Sequence, residues 1–304
     1  MEGEPRFEEE KDEQKRLSPI SRIVGLSEEG EREMHKNFEE IFENKKFDEA
    51  ERVKTPEEEE MIKDILEKMP EFIKKYGGKP IDSITPNHIH FLDKNKMAGQ
   101  ESDDVNLSGA SGAYNPVAQF LYIIDGGNTI RNANTVCHEL FHLNSFQSVW
   151  FRDYAGEEAF QIRRIGFEVH SKNDGDTVYF HELNEAITEE LAIRFDQKYF
   201  EGIGSLSKEA LMRKRFIENA GFVKELLQNA QSSYHAERSK LNKIVKDIFE
   251  KNSDKFESQE EVFDEFARAY FTGRMLPIAR LVEKTYGKGS FRKIAEETKK
   301  VIHS

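Results

Sequence analysis

Charged residues, broken by Pro, Gly and Ser, dominate the first 25 or so positions, which hold too little apolar surface to order themselves and are expected to be disordered. From Leu26 the run "LSEEGEREMHKNFEEIFENKKF" turns helical but weakly amphipathic, so that Phe38, Ile41 and Phe42 either dock on the body of the protein or sit on a solvated helix. A well-marked helix follows in "TPEEEEMIKDILEKMPEFIKKYGG". Thr55 suits the N-cap, Pro56 the first turn, the acidic run the positive end of the helix dipole, and Gly77 the end. Two strand-like runs come next, "HIHFLD" and "QFLYIID", separated by the Gly/Ser/Asn-rich "NLSGASGAYNP". Further on, "FQIRRIGFEVHS" and "TVYFHEL" flank "KNDGD", turn chemistry that predicts a β-hairpin with His181 in a strand position. From Asn184 onward the pattern is helical, with Ser258 and Glu261 spaced as a capping box. The pattern has no internal repeat. It divides the chain into a charged, partly disordered segment over 1–50 and one domain over 51–304.

Between the strand-like runs and the hairpin lies "NTVCHELFHLNS", Asn134 to Ser145. Thr135, Val136, Cys137, Leu140, Phe141 and Leu143 are all uncharged in a chain whose residues are 34% charged, which predicts a buried helix. Within it, His138 and His142 are one turn apart on one face and can present two imidazole nitrogens to one ion at about 2.0 to 2.1 Å. Glu139, one step round the helix, can reach a water at that ion without ligating it, and is placed to act as general base. Two histidines and a carboxylate inside an apolar helix need partners, which argues against an accident on a core helix.

Composition narrows the metal and the partners. Acidic residues outnumber basic ones 58 to 45, and the net charge of −13 speaks against affinity for nucleic acid or anionic membranes. No apolar run nears the roughly 18 residues of a membrane span, and the start "MEGEPRFEEEKDEQKR" lacks secretory-signal character, so a cytoplasmic location is expected unless a signal-less system exports the protein. A single cysteine, Cys137, precludes an internal disulfide and a cysteine-based zinc cage, and it points away from His138 into the expected core. A metal must therefore use His, Asp or Glu.

A catalytic zinc site needs a third protein ligand and keeps a further position open. "HLNSFQSVWF" has neither the Gly nor the third His of a metzincin extension. Downstream, "FHELNEAITEELA" places Asn184 as a helix cap and Glu185 and Glu189 at i and i+4, both facing one way. An acidic first turn favoured by the helix dipole would explain them blandly. The missing ligand, and the apolar Leu183, Ala186, Ile187 and Leu191 around them, favour a metal role.

These motifs together resemble the gluzincin, or thermolysin-like, branch of zinc metallopeptidases, which pairs H-E-x-x-H with a later N-E-x-x-x-D. The resemblance covers about Ser108 to Ala192. It implies one zinc per chain on His138, His142 and Glu185, with Glu139 as base and Asn184 and Glu189 orienting the imidazoles. Glu189 stands where that branch usually carries Asp. An edge strand before the active-site helix that binds substrate in extended form is also implied, and "AYNPVAQFLYIID" fits it. The segment from Tyr270, "YFTGRMLPIARLVEKTYGKGSFRKI", is similar to the aminopeptidase branch of gluzincins and implies Tyr270 as oxyanion donor, with Tyr286, His90, His170 and His181 as lesser candidates. The glycine-rich exopeptidase motif of that branch is missing, which favours an endopeptidase.

The expectation is thus an α+β protein with a zincin-like domain, a small sheet over the active-site helix and a mainly helical C-terminal part. It would hydrolyse peptide or protein substrates. A zinc-binding interaction module without catalysis, and a signal-less effector protease acting in another cell, are the other classes considered. Glu139 argues against the first, and only location separates the second.

Overall fold

The computed structural model describes residues 16, 18–44, 51–93, 111–116, 120–154, 157–172, 176–219 and 233–301, and the architecture is α+β. Helix α1 spans Glu28–Asn44 and α2 spans Pro56–Lys75. At the start of α2, Thr55 Oγ1 accepts from Glu58 N–H at 3.2 Å and Glu58 Oε2 accepts from Thr55 N–H at 2.8 Å, the reciprocal cap expected of S/T-x-x-E. Its stripe of Met61, Ile62, Ile65, Met69, Phe72 and Ile73 is buried.

A four-stranded sheet has the order β2-β3-β5-β4, from β2 (Glu51–Arg52), β3 (Ile89–Leu92), β4 (Gly112–Asn115) and β5 (Phe120–Ile124). Strands β3 and β5 run parallel, Ile89 facing Leu121, while β4 runs antiparallel to β5, Gly112 facing Ile123. Of the segment expected to bind substrate at an edge, only β4 is outermost; β5 lies inside the sheet. Helix α3, Thr129–Asn144, packs beneath β4 and β5 and carries the H-E-x-x-H motif.

The hairpin reading needs enlarging. Strands β6 (Gln147–Tyr154) and β7 (Glu157–Ile165) form a long antiparallel pair that the sequence pattern did not announce. The expected pair is β8 (Glu168–His170) with β9 (Thr177–Tyr179), and the tip of its turn, 173–175, lies outside the described residues. Gly166, at φ 55°, breaks "FQIRRIGFEVHS" into β7 and β8. His181 is not in a strand: it opens helix α4, His181–Tyr199. The helical remainder is α5 (Ser207–Glu218), α6 (His235–Lys251), α7 (Gln259–Thr272), α8 (Leu276–Tyr286) and α9 (Ser290–Glu297), followed by the short β10 (Lys300–Val301). At α7 only half of the capping box forms: Ser258 Oγ accepts from Glu261 N–H, but the Glu261 carboxylate accepts from Glu257 N–H.

The N-terminal expectation is overturned for residues 16 and 18–24. Strand β1, Arg22–Val24, joins the edge of the second sheet parallel to β6, giving the order β1-β6-β7-β8-β9-β10. Ile20 and Ile23 are buried with Val149 and with Phe38, which docks from α1; the side chains of Ile41 and Phe42 lie outside the described residues. Composition counts apolar residues only locally, whereas here two isoleucines and an exposed strand edge far along the chain meet.

The main core joins α2, α3, α4 and α7, with Phe72 against Phe141 and Phe195 at ring separations of 5.4 Å each. Burial of this apolar surface fixes α3 beside α4 and so brings together two motifs more than forty residues apart. Among the described residues no helix is long and apolar enough to cross a membrane.

Candidate metal centre

On α3 the apolar face, with Val136, Cys137, Leu140, Phe141 and Leu143 all buried, leaves His138 and His142 to project together toward α4. Cys137 sits in the core, outside the group that could hold a metal. From α4, Glu185 completes the group. His138 Nε2 lies 3.1 Å from His142 Nε2 and 3.3 Å from Glu185 Oε2, and His142 Nε2 lies 3.4 Å from Glu185 Oε1. A tetrahedral ion with bonds of about 2.0 to 2.1 Å demands ligand atoms about 3.3 Å apart. These three buried residues can hold a metal ion.

The buried histidines and carboxylates stabilise one another's charge. Burial opposes the charged form of His138, yet Glu185 and Glu189 outweigh it and hold the imidazole pKa well above its ordinary value. Burial likewise opposes ionised Glu185, but His142 and His138 prevail and hold its carboxyl well below the usual range. Glu189 Oε2 accepts from His138 Nδ1 at 2.9 Å, which leaves the ring's Nε2 turned to the ligand group.

Glu139 stands outside the ligand group, buried beside it. Burial pushes its pKa up, with His138 and His142 pulling the other way. Strand β4 crosses close above it. A Cβ on Gly112 would come 2.7 Å from Thr135 Cγ2 and 3.2 Å from Glu139 Cγ, so only glycine lets the strand approach the helix this closely.

Two expected residues are placed otherwise. Asn184 is not a helix cap, because α4 begins at His181, and it holds no imidazole: its Oδ1 accepts from Phe167 N–H at 2.9 Å. Tyr270 is 0% exposed in the core of α7, and its hydroxyl is paired with Thr188 Oγ1 at 2.9 Å. An aromatic residue that reaches the ligand group is Tyr234, 39% exposed, which immediately precedes α6. Its ring stacks on His138, centroids 5.6 Å apart and planes 12° from parallel. The negative charge of Glu185, together with burial, raises the pKa of its hydroxyl.

Other residues that the pattern did not single out brace the site. Gln147 Nε2 donates to the carbonyls of His142 and Leu143 at 3.1 and 3.0 Å, and its Oε1 accepts from Tyr114 on β4 at 2.8 Å. Arg16 donates to the carbonyls of Asn144 and Ser145, at 2.9 and 3.0 Å, and so caps the C-terminal end of α3. His181 and Glu168 pair with each other near Glu185. Of the lesser candidates, His90 bonds Glu51, Tyr286 bonds Asp247, and His170 Nε2 is buried with no hydrogen-bond partner among the described residues. A tyrosine opening a helix, or a glutamine reaching back to carbonyls, has no local signature; spacing within one helix is the only signal that sequence offered here. Compared with known proteins, the chain matches no family model, no curated protein and no solved structure.

Proposed function

We propose that the protein is a zinc-dependent peptidase of gluzincin type. The observation that carries this reading is the triangle of His138, His142 and Glu185, with edges of 3.1 to 3.4 Å, and a buried carboxylate, Glu139, that lies beside it and outside the ligand group. Two imidazoles and a carboxylate form a donor set that suits catalytic zinc, which takes three protein ligands and a water or substrate. Zinc, when bound, supplies Lewis acidity that lowers the pKa of a water towards about 7 and polarises a carbonyl.

The residues of the chain do the rest. His138, turned by Glu189, and His142, braced at its carbonyl by Gln147, hold their Nε2 atoms at fixed separation. Glu139, with its pKa raised by burial, accepts the proton of the attacking water and returns it to the nitrogen of the broken peptide bond. Strand β4 is the outermost strand of its sheet among the described residues, and an extended peptide adding to that edge would lie directly above Glu139.

Metal analysis and a peptide-library digest test this. The purified protein should carry one zinc per chain. Glu139→Gln should keep the zinc and lose about a hundredfold to ten-thousandfold in hydrolysis. Wild-type hydrolysis by Glu139→Gln, or zinc binding undiminished in Glu185→Ala, would contradict the assignment.

A further inference from the structure

The dipeptide Ser233–Tyr234 reaches the ligand group from a part of the chain that contributes no ligand. Ser233 N–H donates to Glu189 Oε1 at 2.9 Å, across 44 residues, while the other oxygen of Glu189 holds His138 Nδ1 at 2.9 Å. One backbone amide therefore fixes the carboxylate that fixes the imidazole. The next residue covers the same imidazole with its ring and turns its hydroxyl toward Glu185. Tyr234 does so at φ 54°, the left-handed region that a bulky aromatic rarely occupies. Strain of this kind persists where surrounding contacts over-determine it, and here those contacts are His138, Glu185 and Glu189.

We propose that Ser233–Tyr234 is a positioning strap of the metal centre, which holds His138, Glu185 and Glu189 in ligating geometry and is itself held closed when metal binds. The inference rests on the zinc reading of the site. Its second half follows from reciprocity: whatever the strap adds to metal affinity, the metal must return as preference for the closed strap. The strap acts through the ligands and needs no contact with substrate.

The test uses the full chain. Zinc affinity is measured by competition with a chromophoric chelator for wild type, Tyr234→Phe, Tyr234→Ala and, as a control, Tyr286→Phe, whose hydroxyl pairs with Asp247. Loss of a group that orients metal ligands costs about 10- to 100-fold in affinity. Tyr234→Phe, which keeps the stacked ring, should fall near the lower figure and Tyr234→Ala near the upper. The control should match wild type.

A purely structural role is separated by two readouts. The metal-free melting temperature of Tyr234→Phe should equal that of wild type, and its cobalt-substituted form should show a shifted visible absorption band, because the hydroxyl facing Glu185 is gone. Wild-type zinc affinity in both Tyr234 variants, with an unchanged cobalt spectrum, overturns the strap. Zinc affinity that depends on Tyr234 in a protein that cleaves no peptide supports the strap and overturns the peptidase reading instead.

Discussion

Replacing Arg16 with alanine should destabilise the whole protein, although composition places this residue in a segment expected to be disordered. Its guanidinium donates to five carbonyls: those of Ser18 and Pro19 nearby, at 3.2 and 2.5 Å, and those of Lys79, Asn144 and Ser145 far along the chain, at 3.1, 2.9 and 3.0 Å. The local pair can rehydrate once the arm loosens. The three distant carbonyls lose a charged donor, each such bond being worth about 1.5 to 3 kcal/mol. These values do not add, since water enters the vacated space and the cost of desolvating the guanidinium is recovered. A net loss of about 3 to 5 kcal/mol, that of removing one partner from a buried charged contact, is the reasonable figure. At about 2 to 4 °C per kcal/mol the melting temperature should fall by roughly 6 to 20 °C.

Differential scanning calorimetry on metal-free wild type, Arg16→Ala and Arg16→Lys measures it. The lysine variant should lie between the other two, because an ammonium cannot reproduce the planar fork. Two of the acceptors close the last turn of α3, just beyond His142, so zinc affinity of Arg16→Ala should also weaken. A melting temperature within about 1 °C of wild type would refute the reasoning and return residues 16 and 18–24 to a dispensable tail.

Two further outcomes are expected. Tyr270→Phe should leave hydrolysis and zinc content unchanged and cost about 0.5 to 1.5 kcal/mol in stability, from the lost bond with Thr188; a hundredfold drop in kcat would restore Tyr270 to the site. Gly112→Val should keep zinc but reduce kcat by tenfold or more, because its side chain would press on Thr135 and on Glu139 below β4; a normal rate would show that the strand can lift away at no cost to the base.

What the sequence determined lay within single elements. Thr55 announced a helix start because a cap is a local bond, and its side chain accepts from Glu58 N–H, with Glu58 returning a bond that had not been singled out. The four-residue spacing of His138 and His142 placed both on one face because the helical period is fixed, and the buried flanks followed from their lack of charge. Glu185 and Glu189 were legible for the same reason, as one face of a second helix. Their division of labour was implied by the resemblance and not by spacing; the packing of α4 on α3 sets one carboxylate between two Nε2 atoms and the other on a single Nδ1.

Tertiary structure alone decided the remainder, because each point depends on groups distant in sequence. Tyr270 and Tyr234 have the same chemistry, and only burial against Thr188 in one case and stacking on His138 in the other separates them. Asn184 was read as a cap, but α4 began at His181, leaving its side chain to satisfy Phe167. Local composition could not order the N-terminal arm. Its order comes from the edge of β6 and from carbonyls at the end of α3, backbone groups whose needs are set by the fold and leave no trace in the residues that carry them.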